Sequence, residues 1–110
     1  MKVEIPGQGK VLAHYGQDAQ SLVHCEELAE LIQAVSKMRR VKRAFLAGED
    51  VDDSEAYNNL VEEIADVLIC MEQMQEMYEI PDHELQNMIF KKVARQEERM
   101  DELDRKLFEG

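Results

Sequence analysis

Glu26-Glu27-Leu28-Ala29-Glu30-Leu31-Ile32 and Glu62-Glu63-Ile64-Ala65-Asp66-Val67-Leu68 are one pattern written twice. A shift of 36 positions lays acid on acid, alanine on alanine and aliphatic on aliphatic. Helical residues three apart are neighbours one turn along. Glu27/Glu30 and Glu63/Asp66 are therefore two carboxylate pairs, each beside an apolar stripe. Four acids at the edge of a core are costly unless positive charge compensates them.

Working outward, each motif lies inside a long helical pattern. The first predicted helix runs from Asp18, its expected N-cap, to Leu46, and Gly48 marks its stop. Its expected core stripe is Leu28, Leu31, Ile32, Val35 and Met38. At about 100° per residue, Glu27 falls on the edge of that stripe, with Glu30, Ala34 and Lys37 beside it. Gln20, seven residues before Glu27, shares nearly the same face. The basic run Lys37, Arg39, Arg40, Lys42 and Arg43 closes the helix, where cations oppose the macrodipole.

A loop over 47–53 leads to a second predicted helix, Ser54 to Tyr78, capped by Asp53 or Ser54. Its expected stripe is Leu60, Ile64, Val67, Leu68, Met71, Met74 and Tyr78. Asn59, four residues before Glu63, shares the acidic edge. Met71, Met74 and Met77 read as adaptable core filler. Pro81-Asp82 starts a third helix, Asp82 to Leu107. Leu85, Met88, Ile89 and Val93 form its first apolar stripe. Beyond Arg95 it becomes highly charged, with a thin seam of Met100, Leu103 and Leu107. Alone in water that segment is marginal, so it packs against another subunit or frays. Residues 1–16, punctuated by Pro6-Gly7 and Gly9, read as irregular, and Val3–Ile5 admits a short strand.

The 110 residues are expected to form one domain, 1–110, with an irregular N-terminus over 1–16 and a charged helical tail over 95–110. The fold class is all-α: three main helices per chain. Hydrophobic residues at 45% and charged residues at 34% suit a folded helical chain, and aromatics at 5% argue against an all-β core. One copy can bury only a modest core. The net charge of −11 repels polyanions, so nucleic acid is not an expected partner. No stretch has the length of a membrane span, and the N-terminus lacks the apolar run of a signal peptide. Cys25 and Cys70, each inside a helical pattern, read as buried thiols in a reducing cytosol.

Facing helices can bring all four acids together. Clustered carboxylates take hard divalent cations through oxygen, and Mg²⁺, with Mn²⁺ as its substitute, is the natural choice. No Glu-x-x-His is present, which disfavours a di-iron bundle, and the lack of His or Cys in the motifs disfavours zinc. Metal ions held this way invite phosphate, stabilise developing charge and lower the pKa of a bound water. Lys37, on the acidic side of its helix, is placed to hold a polyphosphate. Asn59 and Gln20 are further binding candidates. Glu26 and Glu62 read as solvated, and His24 as a satisfied core histidine.

The two acid strings, each with a preceding Glu, resemble the signature of the MazG-like all-α nucleoside triphosphate pyrophosphohydrolases. Lys92-Val93-Ala94-Arg95-Gln96-Glu97-Glu98-Arg99 is similar to that family's Lys-Val-x-x-Asn-x-x-Arg segment. The likeness spans roughly Gln20 to Arg99. It implies dimers that complete four-helix-bundle cores and often pair into dimers of dimers. It also implies Mg²⁺-dependent hydrolysis of a nucleoside triphosphate, often a dNTP, to the monophosphate and pyrophosphate, in a cytoplasmic role of nucleotide-pool control. On that resemblance Glu27, Glu30, Glu63 and Asp66 are metal ligands and one of them handles the attacking water. Lys92 and Arg99 are then phosphate contacts. Gln96 stands where the family usually has Asn, a departure that bears on the base or sugar contact. The alternative function is a non-catalytic helical module that binds a partner through its third helix.

Overall fold

Each of the long periodic stretches forms a helix. The computed structural model describes residues 1–109, which contain four helices and no strand. These are α1 (Gly9–Tyr15), α2 (Gln17–Leu46), α3 (Ser54–Met77) and α4 (Asp82–Glu109). The chain divides into two compact units, Met1–Tyr78 and a second from Glu79 onward.

α1 corrects the expectation of an irregular N-terminus. This short helix packs on both α2 and α3. It approaches α3 so closely that a Cβ on Gly9 would lie 3.1 Å from Glu76 Oε1. Gly16 separates α1 from α2 with φ 86°, a left-handed conformation that glycine adopts without steric cost. The capping position of α2 is thus Gly16, and Asp18 sits in the first turn instead. The strand considered at Val3–Ile5 does not form. Val3, Ile5 and Pro6 instead line an apolar cavity of about 230 Å³ with Ala65, Leu68 and Ile69 of α3.

α2 ends in a Schellman motif. Gly48, at φ 85°, donates its N–H to Phe45 O, and Glu49 donates to Ala44 O at 3.1 Å. The expected side-chain cap of α3 is replaced by a bond one residue earlier: Asp52 Oδ1 accepts from both Ser54 N (3.0 Å) and Ser54 Oγ (2.7 Å). Two ion pairs tie the start of α3 to the end of α2: Lys42 to Asp53 at 2.8 Å and Lys37 to Glu55 at 3.3 Å. With Gln20 bonded to Gln73 at the far end, the two helices run antiparallel.

The seam between α2 and α3 uses only part of the expected stripes. Ala34 (1% exposed), Ala56, Val67 and Cys70 are buried there, while Ile32 (68% exposed), Leu28, Val35, Ile64, Met71 and Tyr78 face outward. Small residues at Ala34 and Ala56 let the helices approach closely, and that choice of face sets Glu27 and Glu63 inside the seam. Met77 is buried as filler, but Met71 is not. Cys70 is buried, whereas Cys25 is exposed because it lies half a turn away from the seam.

In the second unit, α4 carries the expected third helix two residues further, to Glu109, and buries none of its described residues. Glu79, just after α3, takes the left-handed conformation at φ 54°, a common way for a helix to end.

Candidate metal and phosphate site

Antiparallel packing crosses the two acid motifs. Glu27 of α2 lies beside Asp66 of α3, and Glu30 beside Glu63, so each carboxyl feels its neighbour's charge across the seam. One ligand oxygen from each of Glu27, Glu63 and Asp66 lies within 4.8 Å of the others. Glu30 stands outside this trio, exposed at its rim.

The electrostatics of this cluster are unfavourable for charge. The Glu27 carboxyl is pushed above its ordinary range, first by desolvation and then by Glu30, Asp66 and Glu63. Glu63 is pushed up by desolvation, then by Glu30 and Asp66. Glu27 Oε2 and Glu63 Oε2 are buried and have no hydrogen-bond partner among the described residues. Buried acceptors without donors are rare because the lost hydration is not recovered.

A metal fits those orphaned oxygens. The donors are all carboxylate oxygens, the set that hard cations such as Mg²⁺ prefer. An octahedral Mg²⁺ holds ligands at about 2.1 Å, so opposite oxygens stand about 4.2 Å apart.

The two ends of the site differ. On the side of Glu30 and Glu63 a cleft of about 660 Å³ opens, bordered by Lys37, Arg40 and Asn59 with Gln33 and Ser36. An adjoining hollow of about 540 Å³ shares Lys37 and Asn59 and adds Glu55 and Glu62. Lys37 and Asn59 thus border both hollows, and the Lys37 ammonium is paired with Glu55.

The side of Glu27 and Asp66 is smaller and is lined by amides and a thiol. A cavity of about 130 Å³ there is lined by Gln20, Glu27, Asp66, Cys70 and Gln73. Gln73 Oε1 accepts from Gln20 Nε2 at 2.9 Å and bonds His24 Nε2 at 2.8 Å, while Gln73 Nε2 donates to Gln8 Oε1 at 3.0 Å. An amide oxygen only accepts, so this bond assigns the proton to His24 Nε2. His24 is the satisfied core histidine expected of it. Gln20, a sequence candidate for substrate contact, is committed to this buried network. The Cys70 thiol is raised by burial, then by Glu27 and Asp66, which makes it a poor nucleophile.

Gln73 and Arg40 were not singled out from the sequence. Spacing carried a signal for the first: Gln73 is seven residues after Asp66, as Gln20 is seven before Glu27. Lys92 and Arg99 lie on α4 in the second unit, seven residues apart and hence on one face of that helix. No protein-family model, curated protein or solved structure matches the chain.

Proposed function

We propose that the chain is a Mg²⁺-dependent nucleoside triphosphate pyrophosphohydrolase acting in nucleotide-pool control, with a dNTP as the favoured substrate class. The observation that carries this reading is the convergence of Glu27, Glu63 and Asp66, with two buried oxygens that lack any donor, beside an open cleft bordered by cations. The nucleotide itself comes from the resemblance of the paired acid strings to the MazG-like enzymes.

Glu27, Glu63 and Asp66 would hold the metal, with Glu30 completing the ligand set from the cleft side. When bound, Mg²⁺ offsets the clustered negative charge, engages phosphate oxygens and acidifies a water. Glu30 faces the open cleft and accepts the proton of the attacking water. The water oxygen bonds to the α-phosphorus, and the bond from that phosphorus to the bridging oxygen of the leaving pyrophosphate breaks. Lys37 and Arg40 hold the phosphates leaving the site, and Asn59 offers an amide for the nucleotide's polar edges. Lys92 and Arg99, phosphate contacts on the resemblance alone, belong to the second unit.

The outward apolar band of Leu28, Ile32, Val35, Ile64 and Met71 is read as the face that a second copy covers, which completes a four-helix core as a homodimer or a dimer of dimers. No helix among the described residues is long and apolar enough to cross a membrane.

The test is a panel of dNTPs and NTPs incubated with the purified chain and Mg²⁺. Pyrophosphate and the monophosphate should appear with at least one nucleotide, and Glu63→Gln or Asp66→Asn should abolish them. No release from any nucleotide, with no thermal shift from Mg²⁺ and nucleotide, would leave the non-catalytic interaction module as the better reading.

A further inference from the structure

Of the three long helices, α4 gathers its apolar residues most strongly onto one side, and it buries none of its described residues. Its apolar positions follow a stricter rule than amphipathicity. Ile89, Val93, Gln96, Met100, Leu103 and Leu107 are spaced alternately four and three apart. That is the a/d rhythm of a coiled coil: a at 93, 100 and 107, and d at 89, 96 and 103. One continuous helix carries the whole seam, and every apolar side chain in it is exposed, from 45% at Val93 to 80% at Leu107.

The charges beside the seam identify its occupant. Position g is basic three times, at Lys92, Arg99 and Lys106, and position e is acidic at Glu97 and Asp104. In a parallel pair, a g residue faces the e residue five places further on the other strand. Lys92 then meets Glu97 of the partner subunit, and Arg99 meets Asp104 of the partner subunit. Symmetry doubles both contacts, so all four are attractive. An antiparallel pair would instead set g against g and e against e, cation on cation and acid on acid. Among the described residues Lys106 pairs along the helix with Glu102 at 3.5 Å, whereas Lys92, Glu97, Arg99 and Asp104 make no ion pair. Gln96 adds a polar group at one seam position, a device that costs stability and fixes register.

We propose that α4 is a parallel, in-register pairing element for a second copy of this chain, joined through the Ile89–Leu107 seam and the Lys92–Glu97 and Arg99–Asp104 cross-pairs. The seam holds fewer than three heptads, so it is a weak zipper that adds to other contacts between copies. It also gives Lys92 and Arg99 a role that needs no nucleotide. The inference is independent of the metal site, because it is read without Mg²⁺ or substrate.

The experiment uses the full chain with Cys25→Ser, carrying either Val93→Cys or Leu107→Cys, in a glutathione redox buffer. Non-reducing gels measure the disulfide-linked dimer. A parallel, in-register pair links both positions, each to its own copy. An antiparallel pair places at most one position opposite itself. Adding Lys92→Glu with Arg99→Glu should lower linkage roughly tenfold, since four attractive contacts become repulsive. Mixing that variant with one carrying Glu97→Lys and Asp104→Lys should restore linkage, now between unlike chains. As a second measure on the unreversed helix, linkage should fall toward about 1 M salt, where screening acts within about 3 Å. Linkage at only one position, at neither, or unmoved by both charge reversal and salt overturns the proposal. Neither position linking would mean that the seam packs on a different surface.

Discussion

Glu27-x-x-Glu30 and Glu63-x-x-Asp66 are nearly the same sequence, yet they occupy different ends of one site. Antiparallel helices pair the first acid of each motif with the second acid of the other. The Glu27–Asp66 end borders a small hollow of about 130 Å³ with Gln20, Cys70 and Gln73. The Glu30–Glu63 end opens on a cleft of about 660 Å³ with Lys37, Arg40 and Asn59. The second acids diverge most. Asp66 keeps its carboxylate in the seam with Glu27 and Glu63, while Glu30, one methylene longer, reaches out to the rim. A repeat in sequence has become a site with a small amide-lined end and a larger end bordered by cations.

That polarity is broken most severely at the first acids. Glu27→Gln and Glu63→Gln should each lower pyrophosphate release by on the order of 10³-fold. Both should raise the melting temperature of the metal-free protein, because each removes one of the crowded charges. A fall in metal-free stability with activity intact would mean that these acids hold the fold and not a cation.

The second acids should separate. Glu30→Gln should cost on the order of 10²-fold in kcat while keeping most of the thermal shift that Mg²⁺ gives, since three of the four ligands remain. Asp66→Asn should lose that shift. Equal loss of the Mg²⁺ shift in both would put Glu30 on a par with the trio and erase the difference between the two ends.

The smallest effect is a pH dependence. Glu27 and Glu63 have folded-state pKa values raised above the ordinary 4.5, so the folded chain binds their protons more tightly than the unfolded chain does. Their contribution to stability is full below that ordinary value and is lost as pH rises through the raised ones. The metal-free melting temperature should therefore decline from mildly acidic pH toward neutrality, and saturating Mg²⁺ should flatten the decline. A metal-free profile that rises over the same window would contradict the crowding of these acids.

Much of this was legible in the sequence. The three long helices follow from apolar periodicity and punctuation at Gly48 and Pro81, and Asp82 begins α4 as expected. The acids were legible because the motif repeats, which a lone Glu-x-x-Glu does not. α1 was not legible: it is too short to show a period, and it forms where Gln8 bonds Gln73 and Gly9 passes close to Glu76. The face of α2 that turns inward was partly misread for a related reason. The expected stripe joined Leu28, Ile32 and Val35, which face outward, to Leu31 and Met38, which sit half-buried beside the smaller Ala34. Packing favours the smaller residue there, because close approach of two helices needs alanine at the contact. Gln73 was hidden because a polar residue seven places from an acid has no meaning until a neighbouring helix supplies Gln20 and His24.

By itself the sequence determined the helical class, the helix limits to within a few residues, and the identity of the acids. Those properties are local: backbone hydrogen bonds and periodicity act within a turn or two. Only the tertiary structure decided that Glu27 and Glu63 lie inside the seam with orphaned oxygens, that Glu30 stands apart, and that the leftover apolar flank faces outward. Those properties depend on which faces meet and in which direction the helices run, and both are set by shape complementarity between segments far apart in the chain.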